Sequence, residues 1–509
     1  MKKKTKSGLY AVSVAVCILS VLCAVLFSGC KDPNTNPGTE PSETVNHDVM
    51  TYITTADNTM HFDKVGKNFI EGLNMSPEIT LTLDPKTRYQ EFDGLGAAIT
   101  GASAYNLSRM PADARAKLLK ETFSVSEGMG YSYVRVPIGG SDFNVHSNYD
   151  YTCCDTKGIE NFALTSDETD YIIPILKEIL AINPDLKVMG SPWSCPRWMK
   201  VSDVNSKGAY NSWIGGYLNP DYYQDYATYF VKWIQGFRDA GVRISSVTVE
   251  NEPLNWGNSM SLYMPWNQQR DFIKYALGPA FEAAGLTTKI IVFDHNYNYD
   301  NKEDQNRYPV KIYNDDEAAK YIDGAAYHNY GGSATELESV HKAAPNKNLY
   351  FTEASIGTWN NGNDMSVSLI HEMKYTCLAN VMRWCKAVIV WNFMLDDYNG
   401  PHGGPGACGT CFGAVDVSSK DYTTLTKRSH FYAVGHLSKA FKTGSTRIGV
   451  KGYQPSNVTV CAAENPDGTY GVVLMNENDS GLTMQIEAGE HFFSLTLPAK
   501  SITTCVIPQ

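Results

Sequence analysis

Several features that would commit this sequence early to a chemistry are missing. It has no basic stripe: 43 Lys and Arg face 54 Asp and Glu, for a formal charge of −11. A phosphate backbone wants the opposite balance, so nucleic acid is not expected as a partner. A single CxxC pair, Cys408 and Cys411, has no second CxxC or HxxxH to complete a tetrahedral metal site. A loop disulfide or free thiols is the reading, and neither a metal nor a cofactor is expected. No HExxH helix and no GxSxG elbow occurs, which sets metalloprotease and serine-hydrolase chemistry aside. The stretch GLGAAITG has glycines but lacks the third one of a dinucleotide fingerprint, and internal repeats are absent.

One long apolar run exists, and it lies at the start. Lys2, Lys3, Lys4 and Lys6 precede an apolar stretch from Ala11 to Phe27 that ends in Leu26-Phe27-Ser28-Gly29-Cys30. The run is short for a membrane-spanning helix, and small residues precede the cysteine. The pattern resembles the lipobox of bacterial lipoproteins, which implies a signal peptide over 1–29 and a lipid anchor on Cys30. Loss of four lysines and no acid would take the formal charge to −15. Residues 30–47, rich in Pro, Asn, Thr and Glu, then read as a flexible tether. The expected location is the outer membrane or cell surface of a Gram-negative bacterium, with the membrane as a partner through that lipid.

What the chain has in quantity is aromatic side chains: 31 Tyr, 19 Phe and 9 Trp. Rings lie flat on the apolar faces of sugars, although core packing is the ordinary use of most of them. Eight short apolar segments alternate with helical patterns: FDGLGAA, YSYVRVPIG, LKVMGSPW, ISSVTVEN, KIIVFDH, GAAYHNY, LYFTEAS and AVIVWNF. In one intervening stretch Tyr226, Phe230, Trp233 and Phe237 share a helix face at spacings of 4, 3 and 4. This alternation predicts an α/β fold, a (β/α)₈ TIM barrel over 91–430. Past about His430 the texture becomes short alternating strands, which predict a β-sandwich over 431–509. The Ile79–Leu83 strand is expected to join that sandwich, within an N-terminal contribution spanning 48–90.

In such a barrel the reacting groups sit at the C-terminal ends of strands. The fourth segment ends Glu250-Asn251-Glu252-Pro253 and the seventh ends Thr352-Glu353. Two carboxylates facing each other across the mouth suit glycoside cleavage, where one protonates the leaving oxygen and the other attacks the anomeric carbon. A lone Glu is more often a surface or ion-paired residue. The joint placement on strands four and seven favours chemistry. Glu250 alternates with Glu252 and is expected to face inward as a structural partner.

These segments, with QRDFIKYALGPAFEAAG, resemble glycoside hydrolase family 30, which includes glucosylceramidases, β-xylosidases and β-1,6-glucanases. The likeness covers nearly everything after residue 77. It implies a retaining mechanism with Glu252 as acid/base and Glu353 as nucleophile. It further implies that Asn251 donates to the sugar 2-hydroxyl, that Arg135 keeps Glu353 ionised and that Tyr330 hydrogen-bonds Glu353 with His328 nearby. Trp193 and Trp391 would wall the sugar site, and Asp142 would bind a hydroxyl. Trp256, Trp266 and Trp359 are loop platforms for further sugars in this reading, while Trp233 and Trp384 are core. Where glucosylceramidases carry an Asp after the first strand, this chain has Gly101. That departure, with the Gly- and Cys-rich loop from Gly400 to Gly413, resembles the bacterial β-1,6-glucanase branch. A β-glucan or related oligosaccharide is then the expected substrate, with a glucosylceramidase-like β-glucosidase or a β-xylosidase as the alternative. A non-catalytic glycan binder on a degenerate barrel would have lost a carboxylate or Asn251, and neither is lost.

Overall fold

The computed structural model describes residues 48–68, 79–145, 151–258, 260–403 and 407–509. The expected signal peptide, Cys30 and the tether lie outside them. Among the described residues no helix is long and apolar enough to cross a membrane.

Eight parallel strands form the barrel: Gly94–Ala97, Tyr133–Pro137, Lys187–Ser191, Ser246–Thr248, Lys289–Asn296, Ile322–His328, Asn348–Glu353 and Cys385–Val390. Seven neighbouring pairs follow chain order around the ring. The first and second strands close it through a parallel bridge between Ala98 and Arg135. Small and β-branched residues make this possible, because strands buried on both faces leave no polar row to expose. Tyr133, Met189, Ile291, Ala326, Tyr350, Ala387 and Ile389 fill the interior. At the N-terminal end Asp93 gathers Lys187 at 2.9 Å, Lys289 at 3.1 Å and Lys386 at 3.6 Å. The three ammonium groups hold its carboxyl well below the usual range, against the burial that opposes the charge.

Helices wrap the outside. Tyr223–Asp239 buries Tyr226, Phe230, Trp233 and Phe237 completely, as their spacing predicts. Trp233 also donates from Nε1 to the buried Glu168. Trp384 is partly buried and stacks on His341 at 3.9 Å.

Nine strands make the second layer system, in the order His61–Asn68, Asp48–Thr55, Ser501–Ile507, Tyr470–Asn476, Val458–Glu464, Thr446–Gly452, Thr80–Glu91, Leu482–Ala488 and His491–Leu497. Side chains from both ends of this sheet, Val49 and Phe493 among them, share one core, which makes it a sandwich. The strand containing Ile79's neighbours pairs antiparallel with Thr446–Gly452 and parallel with Leu482–Ala488. The module is therefore discontinuous in sequence. Helix Ser429–Ala440, buried at every position, lies between barrel and sandwich. His436 on it reaches Thr504 at 2.9 Å and Thr54 at 2.8 Å on two sandwich strands.

Candidate active site

The fourth strand ends sooner than its sequence pattern predicts. Ladder pairing stops at Thr248, and the next backbone groups turn to neighbours. Asn251 N–H donates to the Pro192 carbonyl at 2.7 Å, and Glu252 N–H donates to that of Asp294 at 2.9 Å. Glu252 has φ of +48°, a left-handed conformation that costs free energy for a residue with a Cβ and persists where its surroundings impose it. Glu250 is fully buried beside this turn with neither carboxyl oxygen partnered. Burial pushes its carboxyl well up and favours the neutral acid. It lies behind the site and not in it.

Arg135, on the second strand and without solvent exposure, organises the floor. Its Nη1 donates to Glu353 Oε2 at 2.6 Å, and its Nη2 reaches Asn251 Oδ1 at 2.7 Å, Asp294 Oδ2 at 2.8 Å and Ser191 Oγ at 3.0 Å. With its Oδ1 committed to Arg135, Asn251 turns its amide nitrogen free, buried and unpartnered. An unmet donor in that position suits a ligand hydroxyl. Trp193 and Trp391 stack at 5.0 Å between ring centroids, and the guanidinium lies 4.8 Å from one ring and 5.5 Å from the other.

Glu353 is gripped on both oxygens. Arg135 holds one, and the Tyr330 hydroxyl donates to the other at 2.9 Å. Glu252 is held by amides, Asn255 at 2.8 Å and Asn258 at 3.3 Å, and by His328 Nδ1 at 3.4 Å. His328 is buried, and its Nε2 meets Asp294 Oδ1 at 3.0 Å. It is thus a link between carboxylates beneath the site. Burial opposes its charge, yet Glu353's charge and the hydrogen bonds of Asp294 and Glu252 raise it to about 9. Neighbouring His295, dominated by burial, falls to about 4 and stays neutral.

Burial alone would raise Glu252, but His328's hydrogen bond and charge, with the amide of Asn255, pull it well below the usual range. Glu353 is pushed up by burial and by repulsion from Glu252, with His328 and Arg135 pulling against them. Three carboxylates, Asp294, Glu252 and Glu353, face the two cations Arg135 and His328. One further proton makes the cluster neutral, and the two glutamates titrate as a pair that shares it.

Ligand atoms of Glu252, His328 and Glu353 lie within 4.8 Å of one another, a spacing a divalent ion can use. Both ring nitrogens of His328 are already engaged, by Glu252 at 3.4 Å and by Asp294 at 3.0 Å. That spacing, with one oxygen of each glutamate within 4.8 Å of the other's, is of the order of the roughly 5–5.5 Å between carboxyl groups that direct attack requires. It is too close for the roughly 6.5–9.5 Å that a water inserted between them would need.

A cavity of about 310 Å³ opens on this pair, lined by both glutamates, Asp142, Trp193, Tyr330 and Trp391, with Trp359 and the disulfide-linked Cys408 and Cys411 at its edge. Asp142 Oδ1 is buried and unpartnered, and burial followed by the charge of Glu353 raises its carboxyl well up. Trp359 stands in the cavity wall with half its surface exposed. Trp266 does not: it opens helix Trp266–Phe272 with Arg270 and Lys311 over its ring at 5.4 and 5.5 Å, away from the carboxylates. Trp256 is exposed and stacks on Tyr263 at 5.0 Å, and it is not part of the cavity lining. At Gly101, the first residue of helix Gly101–Arg109, a Cβ would meet Asp167 Oδ2 at 2.3 Å. Asp167 therefore fills the space an acidic side chain at 101 would need.

Sequence reasoning missed Asp294, the acceptor that joins Arg135 to His328. Its signal was its place in KIIVFDH, at the upper end of the fifth strand. Asn255 and Asn258 gave no signal, since they act from a loop.

Comparison with known proteins agrees with this architecture. Residues 92–441 match the glycosyl hydrolase family 30 TIM-barrel domain and 444–505 its β-sandwich domain. An endo-1,6-β-D-glucanase of Trichoderma harzianum is 31% identical over 439 residues, covering 82% of this chain and 84% of its own. The lysosomal acid glucosylceramidase of Mus musculus is 29% identical over 451 residues, covering 84% and 83%. The solved structure of the endo-β-1,6-glucanase BT3312 superposes with a TM-score of 0.88 at 52% identity, covering 91% of this chain and 99% of that one. With both domain models matched over most of its length, the chain belongs to glycosyl hydrolase family 30.

Proposed function

We propose that this protein is a retaining endo-β-1,6-glucanase in which Glu353 attacks the anomeric carbon and Glu252 serves as acid and then base. The observation that carries the chemistry is the carboxylate pair within 4.8 Å, one member gripped by Arg135 and Tyr330. Attack forms the bond from a Glu353 oxygen to the anomeric carbon while the glycosidic bond breaks and Glu252 protonates the leaving oxygen. Water, deprotonated by Glu252, then releases the sugar with its original β configuration. Arg135 and Tyr330 fix Glu353's orientation, which suits a nucleophile. Glu252 is held by loop amides at the mouth, which suits an acid facing the leaving group. The first step requires the pair's one proton to sit on Glu252 while Glu353 is ionised. Asn251 Nδ2 supplies the 2-hydroxyl contact, Asp142 receives a second hydroxyl, and the Trp193–Trp391 pair walls the ring.

The linkage rests on BT3312, whose described activity is on β-1,6-glucan, and on the fungal relatives. The Gly101–Asp167 packing agrees with it, because the acid that clamps a terminal glucose in glucosylceramidases has no room. We place the enzyme outside the cell on a lipid at Cys30, supported by the leader pattern of residues 1–30. Digestion of pustulan, a linear β-1,6-glucan, beside glucosylceramide and aryl xyloside tests the substrate. Early short oligosaccharides with β-configured new ends are expected from pustulan. Faster turnover of either other substrate would overturn the linkage assignment and leave the two glutamates in place.

A further inference from the structure

A cavity about twice the volume of the catalytic one lies elsewhere among the described residues. About 600 Å³ opens where barrel and sandwich meet, between the loop after the sixth strand, the helical stretch 365–381 and sandwich strands carrying Thr459 and Met475. That volume lies inside the range of about 300–1,000 Å³ typical of small-molecule sites.

Its lining has a recognisable chemistry. Tyr375, half-exposed, presents its ring beside His371, with centroids 4.8 Å apart. Both belong to a helix that widens into π-helical turns over Glu372–Leu378, a local distortion often tied to function. Leu378, Met382 and Met475 supply apolar surface, while Asn329, Ser333 and Thr335 supply amide and hydroxyl groups. The two cations at the rim are already matched, Lys374 by Glu477 at 2.7 Å and Arg383 by Glu338 at 3.1 Å. No free charge is left to hold an anion. Exposed rings and aliphatic carbon for C–H faces, neutral polar groups for hydroxyls and balanced charge together fit an uncharged polyhydroxyl chain.

The cavity also adjoins the catalytic cleft. One loop separates them, with Tyr330 reaching Glu353 on one side and Gly332, Ser333 and Thr335 lining the cavity on the other. Between these, Gly331 is covered by the exposed ring of Tyr299, which a Cβ there would meet at 3.0 Å. Tyr330, Tyr299 and Tyr375 thus mark a surface path from the reacting carboxylates to the cavity.

We infer that this barrel–sandwich cavity is a second glucan-binding site, which holds a distal stretch of the polysaccharide while another stretch is cut. The inference rests on the proposed β-1,6-glucanase function. Tyr375 is its stacking platform, and the site serves long chains only.

Two variants test it: Tyr375→Ala removes the platform, and Ala379→Trp fills the cavity from the helix. Each is assayed on pustulan, on an aryl β-glucoside and for melting temperature. Each is also placed in a Glu353→Gln background for affinity electrophoresis through pustulan gels. The expected result is a KM for pustulan raised about five-fold with kcat unchanged, the loss corresponding to one aromatic stack. Gel retardation falls in step, and melting temperature and aryl glucoside turnover stay at wild-type values. Pustulan cleavage with KM and retardation unchanged in both variants would overturn the second site alone. A wild type that neither cuts nor is retarded by pustulan would overturn the substrate and the inference with it.

Discussion

Asp294 and Arg135 form an ion pair at 2.8 Å in which neither side chain has any solvent exposure. Arg135 and His328 hold the aspartate's carboxyl well below the usual range against its burial. Through its other oxygen Asp294 accepts from His328 and Thr352, so one carboxylate positions the groups that hold both glutamates.

Replacing Asp294 should therefore cost both stability and rate. Asp294→Ala leaves a buried guanidinium short of one partner, and breaking a buried pair costs about 3–5 kcal/mol. Calorimetry should find a melting temperature lowered by several degrees. Because Arg135 and His328 both lose their orientation, kcat should fall on substrates with good and poor leaving groups alike. A variant with wild-type kcat would remove Asp294 from the positioning network.

The two glutamate roles separate by azide rescue. Glu353→Ala should be inactive and regain turnover with azide, giving a product of inverted configuration. Glu252→Ala should keep much of its activity on aryl glycosides that need no protonation, and azide should give a retained product. Swapped rescue patterns would exchange the two assignments.

Coupling within the pair sets the pH dependence. Activity needs one proton on the pair, so kcat/KM should fall at low pH when both are protonated and at high pH when both are ionised. Burial raises Glu353, and the charge of Glu252 raises it further. That charge exists only once Glu252 is itself ionised, on the basic side of the profile, so Glu252→Gln should leave the acidic limb close to its wild-type position. The basic limb should vanish. Profiles on an activated aryl glucoside check this, and a basic limb that persists in the variant would take Glu252 out of the acid role.

Restoring an acid at position 101 should not make this protein a glucosylceramidase. Gly101→Asp sets a Cβ 2.3 Å from Asp167 Oδ2. Overpacking of this kind costs about 1–3 kcal/mol, and like charge adds to it. Denaturant titration should show the loss, and Asp167→Ala in the same chain should recover most of it. Glucosylceramide turnover gained by the single variant would mean that Gly101 alone governs the substrate.

Local pattern alone determined the barrel, because each of its eight strands is buried on both faces and so reads as a short apolar run between helix-period segments. It also placed Asn251, Glu252 and Glu353, since their positions at strand ends follow from counting along the chain. The ring pairs Trp193–Trp391, the Arg135–Glu353 bond and the Tyr330 hydroxyl contact lie where those strand ends converge. Tertiary structure alone decided the rest. The early end of the fourth strand and the left-handed Glu252 depend on the carbonyls of Pro192 and Asp294, which are 59 and 42 positions away from Asn251 and Glu252, the residues they accept from. Trp256, Trp266 and Trp359 look alike as loop tryptophans, yet only Trp359 lines the catalytic cavity. Asp167 fills the space beside Gly101 across 66 residues of sequence. Such contacts are set by how loops and helices pack around the ring, and no period of 2 or 3.6 residues encodes them.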